Sequence, residues 1–119
     1  MRPNLKSSKL CVTGGFRSVD MMAKAINEGS CDIVGIARPL TGELDLPNRL
    51  MSGKQAKAAD NHIAEGFQLP GSYLQLKEVG DGQKPSDLSN PDVAKQVQAA
   101  IEQDPGRAMR IAPLLHKEY

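Results

Sequence analysis

Two short stretches carry residue types that hold anions. They are Thr13-Gly14-Gly15-Phe16-Arg17 and Gly35-Ile36-Ala37-Arg38-Pro39, each placing glycine backbone near a guanidinium. Glycine lets backbone N–H groups come within hydrogen-bonding distance of an anion with no Cβ in the way. Arginine adds a planar, permanently charged fork suited to phosphate oxygens. Proline is pre-organised for the first helical position, so Arg38-Pro39-Leu40 reads as the opening of a short helical turn whose N–H donors favour an anion. Together these residues suggest a phosphate cradle. The residues alone leave a second reading open, in which Gly14-Gly15 is a tight turn with no ligand and Arg17 and Arg38 pair with surface carboxylates. The spaced three-glycine dinucleotide fingerprint and the P-loop Lys-Ser/Thr are both missing.

Other chemistry-bearing residues read blandly. His62 and His116 lack a partner pattern and are expected to be loop or surface histidines. Cys11 and Cys31 fall within expected strands and read as buried, inert thiols. No Cys or His spacing suggests a metal site.

The elements that must position the two stretches follow from the pattern. Lys9 to Thr13 is a short, partly β-branched run that stops at Gly14-Gly15, a strand entering a turn. Ser18 is a good N-cap and Asp20 suits a first helical turn. Val19, Met22 and Ile26 then share one helical face, and Gly29 ends the helix. Cys31 to Ile36 is a second strand, apolar on both faces, as in parallel sheets covered by helices. The unit is a βαβ crossover, and ligands in such folds sit beyond the carboxyl ends of the strands. A two-stranded piece needs neighbours to be stable, so the chain reads as the end of something larger. Leu46 to Met51 is expected as another short helix, 54–65 as a helical extension, and 66–91 as loop or linker. The last segment, 92–119, comprises a helix over 92–103 with Val93, Val97, Ala100 and Ile101 on one face, stopped by Asp104-Pro105-Gly106, and a tail.

Composition sets the outer bounds. The chain has 119 residues and a net charge of +1, with 39% apolar residues and four aromatics. No charge field points to nucleic acid or an anionic membrane, and no apolar run approaches the roughly 20 residues of a membrane span. Two cysteines cannot frame a secreted disulfide scaffold of this size, so a cytoplasmic setting is expected.

Val12-Thr13-Gly14-Gly15-Phe16-Arg17-Ser18, Ala25-Ile26, Gly29, and Cys31-Asp32-Ile33-Val34-Gly35-Ile36-Ala37-Arg38-Pro39-Leu40 together resemble the C-terminal end of the old yellow enzyme family. These are FMN-dependent NAD(P)H:flavin oxidoreductases, and the resemblance is closest to their NADH oxidase-like branch. It covers about residues 5–53, whereas the later residues resemble the variable C-terminal tails of fungal members. The resemblance implies an α/β fold, the last two strands and helices of a (β/α)8 TIM barrel, over residues 1–53. It implies that Gly14 and Gly15 approach the FMN phosphate, and that Ala37 and Arg38 match a Gly-Arg pair holding the same phosphate. Phe16 would lie near the flavin's dimethylbenzene edge. The complete enzyme would pass hydride from NAD(P)H to FMN and on to an activated alkene or similar acceptor.

The family's His-His or His-Asn pair and its proton-donor tyrosine find no match here, and neither Tyr73 nor Tyr119 fits that role. A whole barrel takes about 250 residues. The expectation is therefore a cofactor-anchoring portion with no catalytic residue of its own, inactive alone and lacking the rest of the barrel as its partner. The alternative is a non-enzymatic interaction module that docks through helix 92–103.

Overall fold

The computed structural model describes residues 4–106. Met1 to Pro3 and the tail beyond Gly106, including His116 and Tyr119, lie outside the described residues. The chain forms two compact units, divided between Ala58 and Ala59.

The first unit runs β1 (Cys11–Thr13), α1 (Val19–Asn27), β2 (Ile33–Gly35), α2 (Pro39–Gly42) and α3 (Leu46–Met51). The strands are parallel and in register, with Cys11 opposite Ile33, Val12 opposite Val34 and Thr13 opposite Gly35. Ser18 caps α1 from an extended backbone, and its hydroxyl accepts the Met21 N–H at 3.4 Å. Asp20 sits in the first turn, and Gly29, at φ +71°, lets the chain leave the helix. The βαβ crossover read from the sequence is therefore present, an α/β arrangement with a two-stranded parallel sheet.

Burial of this crossover differs from the expectation. No residue of α1 is buried, Val19 and Ile26 are exposed, and Ile33 in β2 is 52% exposed. Val12 and Val34, on the opposite side of the pleat from Cys11 and Thr13, are half-buried. Two strands and one helix have too little surface to cover both faces of a parallel sheet. Cys11, expected to be buried, is exposed for this reason, whereas Cys31 is buried just ahead of the shortened β2. The buried residues of this unit are instead Cys31, Thr41, Leu46 and Ala58.

The helical extension expected over 54–65 does not form. Residues 56–58 run back beside the entry to α1: Val19 N–H donates to the Ala56 carbonyl at 2.9 Å, and Ala58 N–H donates to the Arg17 carbonyl at 2.7 Å. Backbone groups used across this antiparallel pairing are not available for a helical ladder. Gln55 fixes the approach, its amide donating to Glu43 Oε1 at 2.8 Å and to the Lys57 carbonyl at 2.6 Å. Arg49 on α3 joins Glu43 at 3.2 Å and Asp45 at 3.0 Å.

The second unit holds a 3-10 turn at Glu65–Phe67, α4 (Gln68–Gly80) and α5 (Pro91–Gln103). Helix α5 matches the sequence reading. Asn90 caps it by accepting from Asp92 and Val93 N–H, Pro91 takes the first position, and Ala94, Val97 and Ile101 are buried. They pack with Ile63 and Leu88, flanked by Phe67, Leu74 and Val93. The face offered above as a docking surface is thus consumed inside its own unit.

Helix α4 replaces part of the loop expected over 66–91. Its buried positions are Gly71, Ser72 and Gln75, which carry no apolar pattern. Gly71 is small for a reason: a Cβ there would lie 3.2 Å from Ile63 Cδ1 and 3.4 Å from Leu88 Cδ1. Ser72 Oγ donates to the Gln68 carbonyl at 3.0 Å, and Gln75 Nε2 donates to the Ser86 carbonyl at 2.8 Å. Glu78 accepts from Ser86 N–H at 2.7 Å and Ser86 Oγ at 2.6 Å, strapping the following loop to the helix.

Two outcomes follow for stability. Ile101→Ala should destabilise the second unit by about 2–4 kcal/mol through transfer and cavity terms, read by urea denaturation. Asp87 is held below its ordinary carboxyl value of 3.8, chiefly because it accepts hydrogen bonds from the Ser89 hydroxyl and N–H. Its contribution is present above that value and is lost as pH falls through the lowered one. Asp87→Asn should therefore lower stability at neutral pH, flatten the acid limb of a stability–pH curve below about pH 4, and converge with the parent chain at the acid end.

Candidate anion-binding site

The candidate site is built by the register of the sheet. Because Thr13 lies opposite Gly35 in a parallel pair, the chain leaves both strands at the same end. Gly14-Gly15 follows directly on β1, and Ile36-Ala37-Arg38 follows on β2. The two stretches singled out by residue type are thus adjacent.

Gly14 and Gly15 have φ values of +130° and +74°. This is the left-handed side of backbone space, where a side chain is strained, so the turn itself requires glycine at both positions. A Cβ built at either meets nothing within 4 Å. The space in front of the turn is open, and its outer surface is backbone. Phe16, next along the same turn, is half-buried.

On the second exit, Ala37 and Arg38 are exposed. The turn closes through its carbonyls: the Leu40 N–H donates to the Ala37 carbonyl at 2.9 Å, and the Thr41 N–H and hydroxyl donate to the Arg38 carbonyl at 3.2 and 2.8 Å. Bonding through the C=O groups orients this turn as the start of α2. With only four residues, α2 carries little macrodipole. The formal positive charge on this exit is that of Arg38.

The opposite end of the strands is held by a residue that sequence reasoning missed. Asp32 accepts the Leu10 N–H at 2.9 Å and lies 4.0 Å from Lys9 Nζ, while its own N–H donates to the Leu10 carbonyl at 2.9 Å. A carboxylate just ahead of one strand and a lysine just ahead of the other were the only signal. His62 lies in a loop of the second unit, with its N–H donating to the Leu88 carbonyl at 2.9 Å, and Tyr73 lies on α4. Among the described residues, no group of three or more His, Cys, Asp or Glu side chains is placed to hold a metal ion, and no helix is long and apolar enough to cross a membrane.

No family model matches the chain. Among curated proteins, it is 41% identical over 77 residues to the NADH-dependent flavin oxidoreductase iccE of Talaromyces variabilis, covering 64% of this chain and 19% of that protein. It is 41% identical over 51 residues to the NADH-dependent flavin oxidoreductase iliE of Hypocrea jecorina, covering 43% and 13%. It is 28% identical over 102 residues to the NADH-dependent flavin oxidoreductase nadA of Aspergillus parasiticus, covering 83% and 22%. The chain spans about a fifth or less of the length of these relatives. A 77-residue match in a chain of 119 must cross the boundary at Ala58 wherever it falls, so both units share in the likeness. The family resemblance read from the two motifs agrees with the names of these relatives, to each of which the chain is similar over part of its length.

Proposed function

We propose that the exits of β1 and β2 hold the phosphate of FMN in an NAD(P)H:flavin oxidoreductase of the old yellow enzyme type. Residues 1–53 are then the last two βα units of its (β/α)8 barrel. The observation that carries this reading is the register of Thr13 with Gly35, which puts both motifs at one end of the sheet. Two features of the residues fit a phosphate group. The Gly14-Gly15 turn presents backbone to open space, and Arg38, an exposed residue, stands on the neighbouring exit.

Within that reading, amides of Gly14 and Gly15 bind phosphate oxygens from one side. Arg38 and the Ala37 amide bind from the other, with the Ala37 methyl in exposed surroundings. Bound FMN would supply the hydride-transfer chemistry. Phe16 lies beside the phosphate turn and would flank the flavin. None of these residues moves a proton, so the described chain anchors a cofactor and is inactive by itself, with the rest of the barrel as its missing partner. Cys11 and Cys31, both free thiols, suit a cytoplasmic setting. The docking-module reading loses its support, because Val97 and Ile101 are already packed in their own core.

The purified chain should be colourless and should show no NADH or NADPH oxidation with added FMN; a yellow, active preparation would overturn the anchoring-only reading. FMN titration followed by flavin fluorescence should show binding. Arg38→Ala should weaken that binding about tenfold or more, the worth of a charge-assisted contact of roughly 1.5–3 kcal/mol. Unchanged affinity in that variant removes Arg38 from the cradle. A coding sequence that continues in frame upstream of Met1, with further βα units, would support the barrel reading.

A further inference from the structure

Gly35 stands inside β2, where glycine is a poor choice. It has no side chain to pack and weakens the strand. Its φ lies outside the left-handed range that explains Gly14 and Gly15, so conformation does not demand it. Space does. A Cβ at Gly35 would fall on Thr13 Cγ2, far inside any permissible contact, with Thr13 Cβ at 3.5 Å and Cys11 Sγ at 3.8 Å. Thr13 is its partner in the sheet. On this rung one side chain is missing and the methyl of the other fills its place.

We infer that the Thr13–Gly35 rung is a spacer that sets the separation of the two strand exits, which makes Gly35 a positioning residue for the anion site. The rung is the last before both turns: Gly14 follows Thr13 directly, and Ala37 lies two residues beyond Gly35. A clash there spreads the exits and leaves the rest of the sheet little affected. Threonine is β-branched and stiff at χ1, so its methyl does not swing aside without cost. The inference rests on the reading of Gly14, Gly15, Ala37 and Arg38 as a phosphate cradle.

The test is a double-mutant cycle in the 119-residue chain, using Gly35→Ala, Thr13→Ala and the two combined. Thr13→Ala removes the clashing methyl and leaves ordinary contacts, 3.5 Å from its own Cβ and 3.8 Å from Cys11 Sγ. Two readouts are taken: backbone amide NMR shifts of Gly14, Gly15, Ala37 and Arg38 without ligand, and FMN affinity by fluorescence. Gly35→Ala should move those amides and weaken FMN binding about tenfold, as expected for displaced binding groups. The double variant should return both to within about twofold of the parent. Amides unmoved by Gly35→Ala, or a double variant that fails to restore them, would overturn the spacer. Should Gly35→Ala not fold, recovery of the fold in the double variant supports the rung, and no recovery overturns it. Amide shifts that behave as expected in a chain that never binds FMN would instead sink the cradle and leave the spacer standing.

Discussion

Three residue pairs of parallel sheet, Cys11–Thr13 against Ile33–Gly35, are what brings two distant turns to one end of the first unit. The pairing is short, and it is reinforced where the strands begin. Asp32 ties itself to Leu10 through both its carboxylate and its N–H, with Lys9 alongside. That clip compensates for the brevity of the ladder, because parallel pairs need a long crossover whose entropy must be offset by few bonds. The geometry of the glycine and arginine turns depends on this arrangement more than on any contact between the turns themselves.

The same pairing explains what the unit lacks. A two-stranded sheet has an open edge on each strand, and its apolar residues remain in contact with water. Ile33 on β2 and Val19 and Ile26 on α1 are the visible result. The curated relatives are about five times longer than the part they share with this chain.

Much of the fold was legible wherever local chemistry and apolar spacing agreed. Ser18, Asp20 and Gly29 framed α1, and Asn90, Pro91 and the spacing of Val93, Val97 and Ile101 framed α5. The glycine turn was legible because only glycine serves at those φ values. The rest was not, for definite reasons. Residues 56–58 look helical by composition, yet their backbone pairs with Arg17 and Val19, more than thirty residues away. Cys11 looked buried because its strand was apolar, but burial depends on neighbours that a strand's own letters do not contain. In the site, the role of Arg38 as a helix opener was legible, whereas the shortness of α2 and the clip at Asp32 arise only from tertiary structure.

Helix α4 is the element least legible in the sequence, because its buried side carries no apolar pattern. It turns glycine, serine and glutamine inward, while Leu69 and Leu76 are 54% and 48% exposed. Contacts between apolar groups are nearly isotropic and tolerate a helix rolling about its axis. Hydrogen bonds are not: Gln75 must meet the Ser86 carbonyl, and Glu78 must meet the Ser86 hydroxyl and amide. The azimuth of α4 is therefore locked by directional bonds to one loop residue, and Ser86 acts as the key that admits a single rotational phase.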